Sequence, residues 1–183
     1  SLLDVALLAP HLTGLSPLVI QNRHDEAFDV EAVTRDFFAT YRAVFEEVER
    51  QIQGLAGEEQ RLFTQRLFNR LLFLIFLERK GWLTFSGRSD YLRALWDAHT
   101  QTVAAGDNDN FYRERLRLLF FSAINTPNEV DIVGVTQSGF VQQRIGQAPY
   151  LNGGLFEEDA TDRNAAVAVP DRAVDLILQR LLY

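Results

Sequence analysis

The chain contains no cysteine, so neither a disulfide framework nor thiol chemistry is open to it. That suits a cytoplasmic origin. Methionine is absent too, even at the first position, where Ser1 stands, and the sequence reads as a part excised from a longer protein. Long apolar runs are missing. The longest, Leu71 to Leu77, is seven residues, well short of the roughly 20 that a membrane-spanning helix requires. No N-terminal signal pattern is present. Excess positive charge is also lacking: 18 Lys and Arg against 25 Asp and Glu leave a net charge of −7. This argues against a dedicated nucleic-acid module, which is usually basic overall.

What is present is enough apolar material for one sizeable core: 47% of 183 residues are hydrophobic and 23% charged. Charge is unevenly placed. Asp25 to Glu59 holds ten acids against three arginines, whereas Arg61 to Lys80 holds five basic residues against Glu78 alone. Two readings stand: two solvated faces that neutralise each other, or a basic helix that meets phosphate. His24-Asp25-Glu26 does not predict a metal site, because adjacent residues share no face of a helix or strand.

The spacing predicts a mainly α fold of four to five helices packed around a central buried helix at about 58–80, with a loop-rich arm at about 125–169. Residues 1–28, broken by Pro10, Gly14 and Pro17, form a connecting segment. A helical core follows over 29–124. Its first helix starts at the N-cap Asp29 and runs to about Gln53, with Val33, Phe37, Tyr41, Val44, Val48 and Ile52 as its apolar stripe. Gly54 to Gly57 turns the chain back into the central helix. There the unbroken run Leu71 to Leu77 predicts burial on every side, and Gly81 is placed to close the helix in the left-handed conformation. Trp82 and Leu83 are expected to fold back as the hydrophobic contact after that turn. Two further helices are expected, at about 90–105 and 111–124, with His99 partly exposed and Arg113, Arg115 and Arg117 largely exposed. Over 125–169 the helical period stops, and scattered glycines predict loop with one or two short strands. The region 125–183 ends in a helix that starts at Pro170.

Arg66 and Arg70 stand four apart on the central helix with Asn69 beside them, just before the buried run. Like charges at that spacing repel, so a compensating acid of the first helix, or phosphate, is expected nearby. The bland reading is a buried Arg–carboxylate bridge. The functional one is contact with the DNA backbone through Arg66, Asn69, Arg70, Arg113 and Arg117. Asn152-Gly153-Gly154 reads as a tight turn that needs positive φ, with Tyr150, Leu155 and Phe156 anchoring its ends in apolar surface.

Arg66-Leu67, Asn69 to Leu74, Phe76-Leu77 and Lys80 to Leu83 resemble a signature of type IIG restriction–modification enzymes and BREX-type phage-exclusion DNA methyltransferases, where it looks like LNRLLFLYFLQRKGWL. Pro149 to Glu157, PYLNGGLFE, resembles a second block of the same family. Val33, Thr34, Phe37 and Phe38 resemble a third, weaker one. The order and rough spacing of all three agree over about 28–183. The resemblance places the chain just upstream of an adenine-methylating core. It implies a non-catalytic helical domain that links or positions nuclease, DNA and methyltransferase parts. It further implies S-adenosylmethionine in the parent protein and, as partners, that core and double-stranded DNA, with Tyr150, Asn152, Gly153, Gly154 and Phe156 at the seam. The alternative is a stand-alone helical module that docks a protein partner.

Catalytic machinery is not legible in the segment itself. An adenine methyltransferase needs an N-P-P-Y-type loop to hold an extruded base, and the dipeptide Asn-Pro does not occur. Gly153-Gly154 follows no convincing strand and lacks the third glycine of a nucleotide fingerprint. Glu78-Arg79-Lys80 spells E-x-K, as in magnesium-dependent nucleases, but sits at a helix end with no second acid at a workable distance.

Overall fold

A computed structural model describes residues 34–106, 110–126, 136–151 and 153–183, with the side chains of 136–140 left aside. The chain divides into two compact units, Ser1–Tyr41 and Arg42–Tyr183. In the first, residues 34–41 are helical. Phe37 and Phe38 lie at the surface, with rings edge to face at 5.7 Å, and Tyr41 lies 6.2 Å from Phe37. The expected cap and staple at Asp29, Phe28 and Val33, and the His24 cluster, lie outside the described residues.

The second unit opens with α1, residues 42–49, followed by α2 (Gly57–Arg79), α3 (Tyr91–Ala104), α4 (111–124), α5 (Thr136–Ile145), α6 (Ala160–Arg163) and α7 (Asp171–Ile177). The fold is mainly α. Pairing between extended segments, among the described residues, is limited to isolated bridges such as Gln53 with Ala168 and Thr84 with Gln147. The segment expected to be loop with strands therefore carries a ten-residue helix, α5, and short helical turns at 154–156 and 160–163. Gly139 within α5 interrupted the pattern read from sequence. No helix among the described residues is long and apolar enough to cross a membrane.

The second unit's core forms around α2. Phe63, Leu67, Phe68, Leu71, Leu74 and Leu77 are all but inaccessible to solvent. Val44, Val48 and Ile52, the lower half of the expected stripe, are buried as well, and Phe45 meets Phe68 at 5.2 Å between ring centres. The apolar run is not enclosed on every side, however. Leu72 and Phe73 are half-buried and Phe76 is 46% exposed. The elements packed on α2 (α3, α6 and the 154–156 turn) leave one flank open.

α2 closes as its sequence predicts. Gly81 takes φ 71°, its N–H donates to the Glu78 carbonyl at 2.8 Å, and the Trp82 N–H donates to the Leu77 carbonyl at 3.1 Å. This is the Schellman arrangement, and it satisfies the terminal carbonyls. Leu83 folds inward and is fully buried, but Trp82 stays 53% exposed, so only one of the two residues expected to fold back does so.

α4 is wound largely as π-helix, over Tyr112–Leu116 and Leu118–Ile124. Hydrogen bonds from i to i+5 widen the turn and shift which residues face inward. Arg115, expected at the surface, is consequently buried. His99, expected to be partly exposed, is also buried between Trp96 and Phe111, with ring centres at 5.6 and 5.3 Å. Its Nε2 meets Asp171 Oδ2 at 2.6 Å. Asp171 Oδ1 accepts from the Phe111 N–H at 2.8 Å and from Asn110 Nδ2 at 3.0 Å, so this one carboxylate ties the starts of α4 and α7 to α3.

Candidate functional site: an arginine cluster closed by an acidic turn

Three arginines from two helices converge on the segment 155–162. Arg70, on α2, is 2% exposed and carries the most bonds. Its Nη1 and Nη2 donate to Oδ1 and Oδ2 of Asp162, each at 2.9 Å, in the two-pronged geometry that guanidinium and carboxylate share. Nε donates to the Leu155 carbonyl at 2.8 Å, and Nη2 also donates to the Glu157 carbonyl at 3.0 Å. The guanidinium lies 5.4 and 5.0 Å from the ring centres of Phe120 and Phe121, both on α4.

The local fold holds Asp162 in place. Asp159 is the N-cap of α6, and the two aspartates form a reciprocal capping box: Asp162 N–H donates to Asp159 Oδ1 at 2.9 Å and Asp159 N–H donates to Asp162 Oδ2 at 3.3 Å. Burial by itself would raise the Asp162 pKa, but the hydrogen bonds and charge of Arg70, with the Asp159 N–H and Arg66, outweigh it and hold the carboxyl below its ordinary value. Burial also pushes the neighbouring Tyr112 phenol up to about 12.

Around this centre lie half-exposed pairs. Arg66 meets Asp159 at 2.6 Å, and Arg117 meets Glu158 at 2.7 Å while also donating to the Asp162 carbonyl. Of the residues proposed for DNA contact, Arg66, Arg70 and Arg117 are thus brought together, each engaged by the chain's own acids. Arg113 stands apart, its side chain 64% exposed and paired with its neighbour Glu114. Asn69 is exposed on α2. The compensating acids come from 158–162 rather than from the first helix. Sequence reading missed Asp159 and Asp162 as partners. The visible signal was the acidic cluster Glu157-Glu158-Asp159 followed by an Asp at capping-box spacing.

Of the seam residues, Phe156 is buried, 5.9 Å from Phe73 and 5.6 Å from Phe120 between ring centres. Tyr150, expected to be anchored, is exposed, and Asn152 lies outside the described residues. Gly153 is extended at φ −160°, and neither it nor Gly154 has positive φ. The glycine pair does not form the left-handed turn expected of it. Gly154 instead opens a three-residue 3-10 turn that runs to Phe156. Glu78 of the E-x-K tripeptide is engaged elsewhere, its Oε2 accepting from the Leu92 N–H at 3.0 Å and from the Tyr183 hydroxyl at 2.7 Å. Among the described residues, no group of three His, Asp or Glu is arranged to hold a metal.

Over 116 residues, 63% of its length, the chain is 27% identical to a protein of Methanocaldococcus jannaschii whose name calls it a candidate type II restriction enzyme and methyltransferase. The match spans 9% of that relative. No protein-family model matches the chain, and no solved structure matches it. The chain is thus a distant relative of part of a restriction–modification protein.

Proposed function

We propose that this chain is the non-catalytic helical region of a type IIG or BREX-like restriction–modification or phage-defence protein. The parent methylates adenine in DNA using S-adenosylmethionine, with or without an endonuclease, in the cytoplasm of a prokaryote. The helical region holds the nuclease, DNA and methyltransferase parts in fixed relation, and its partners are the methyltransferase core of the same chain and, through the parent, double-stranded DNA.

One observation carries this reading: the two sequence blocks that resemble the family meet in space. Arg70, from the first block, donates to the backbone carbonyls of Leu155 and Glu157, from the second, and Phe73 meets Phe156. A helix and a distant arm joined by a buried charged bridge make a stiff unit, as a connector requires. The arginines engaged in that joint have an architectural role in this reading. Likeness to part of a long restriction–modification relative agrees with it.

The test is to read the gene past the codon for Tyr183. A frame that continues into a glycine-rich cofactor turn and an N-P-P-Y-type loop supports the proposal. A stop codon soon after Tyr183 overturns it in favour of a free-standing interaction module.

A further inference from the structure

Trp82 has no local reason to be at the surface. As the second residue after the C-cap it stands where a Schellman turn ordinarily makes its hydrophobic contact, yet it is 53% exposed while Leu83 is buried. The single bridge between Thr84 and Gln147 explains where its ring goes. Thr84 N–H donates to the Gln147 carbonyl at 3.2 Å, and Gln147 N–H donates to the Thr84 carbonyl at 2.9 Å, in antiparallel sense. Continued in that register, Trp82 stands opposite Pro149 on the same face. The two line a shallow hollow together with Gln147 and Ala148, and exposed Tyr150 follows directly.

The last turn of α2, which ends three residues before Trp82, is aromatic and cationic. Phe76 is exposed, and Lys80, one turn on, lays its Nζ 5.6 Å from the Phe76 ring centre. Arg79 is exposed beside it. Among the described residues neither Arg79 nor Lys80 has an acid partner, whereas Arg66, Arg70, Arg88, Arg117 and Arg144 each meet a carboxylate. The nearest acid in sequence, Glu78, is bound to the Leu92 N–H and the Tyr183 hydroxyl. Two uncompensated cations next to exposed ring faces match a polyanion with flat apolar groups.

We infer that the surface formed by Phe76, Arg79, Lys80, Trp82 and Pro149 binds unstacked, single-stranded DNA. The two cations meet phosphates and the Trp82 face stacks on a base. Stacking needs a base whose face is open, and duplex bases are covered by their neighbours. Base–aromatic stacking with a cationic track is the general chemistry of single-strand binding. The inference rests on the proposed function only in taking DNA as the polymer the parent works on.

The test uses the whole chain with Trp96→Phe, which leaves Trp82 as the only tryptophan. Its fluorescence is followed while unlabelled 20-nucleotide oligo(dT) is added at low salt. Saturable quenching is expected. Arg79→Gln with Lys80→Gln should weaken binding about tenfold and flatten its salt dependence by about 1.4 in the log–log slope. The separate variant Pro149→Ala, with melting unchanged, should weaken it less. Because Lys80 is the only lysine, oligo(dT) should also protect it from amine acylation. Three results would each overturn the inference: no quenching at low salt, binding unaffected by the double variant, or equal quenching by poly-glutamate of matched charge. The last would assign the surface to an acidic protein partner. Failure here with a methyltransferase core downstream of Tyr183 leaves the proposed function standing. Binding here with an early stop codon does the reverse.

Discussion

Arg70 and Asp162, 92 positions apart in sequence, form a two-pronged ion pair at 2.9 Å with the arginine 2% exposed and the aspartate 0%. The pair fastens the segment 155–162 to the central helix, and two further guanidinium N–H groups donate to the Leu155 and Glu157 carbonyls. Removing one partner from a buried pair leaves an uncompensated charge, which costs about 3–5 kcal/mol.

Arg70→Ala and Asp162→Ala should therefore each lower unfolding stability by about 3–5 kcal/mol in urea titrations. Arg113→Ala, at a mostly exposed side chain, should stay within about 0.5 kcal/mol of the parent chain. Equal effects at Arg70 and Arg113 would contradict the burial described.

Acid should loosen the joint in a defined window. The folded Asp162 carboxyl lies below its ordinary value of 3.8, so its contribution is fully present above that value and is lost as pH falls through the lower folded one. Stability followed from pH 6 downward should fall more steeply below about pH 4 in the parent chain than in Asp162→Asn. Identical acid slopes would show that this carboxyl is not depressed.

How much of this could be read beforehand differs from element to element. The central helix, its glycine stop and α3 were legible because their signals are local: apolar spacing and a positive-φ glycine. The bridge type was legible too, since paired arginines before a buried run require compensation. Its partner was not, because Asp162 is brought close only by tertiary folding. Arg115 was misread because π-winding changes the period on which the reading relied. Phe76 and Trp82 were misread because a continuous apolar run does not reveal which flank lacks a neighbour.

Glycine positions separate backbone need from open space. Gly54 has φ +80°, and a Cβ there would lie 2.0 Å from the Ala166 carbonyl oxygen. Gly153 is extended with nothing within 4 Å. Gly54→Ala should cost more than about 2 kcal/mol and Gly153→Ala less than about 0.5 kcal/mol, read from thermal melts. A costly Gly153→Ala would mean that the arm is packed more tightly than described.

Asp171 joins three elements through His99, Asn110 and the Phe111 N–H. Asp171→Ala leaves His99 and the Phe111 N–H without that acceptor, Asn110 keeping the Val169 carbonyl, and should cost about 2–4 kcal/mol. Asp175→Ala, on the exposed side of α7 where it holds Gln179, should cost under about 1 kcal/mol. Similar losses at both would show that the Asp171 junction adds nothing beyond helix propensity.

The claim that most depends on the geometry is that Arg70 and Asp162 act as one unit. A double-mutant cycle on Arg70→Met and Asp162→Leu, by urea unfolding at pH 7, tests it directly. The account predicts that the double variant loses less stability than the two single losses summed, with a coupling energy of about 2–3 kcal/mol. Additivity within about 0.5 kcal/mol would contradict it.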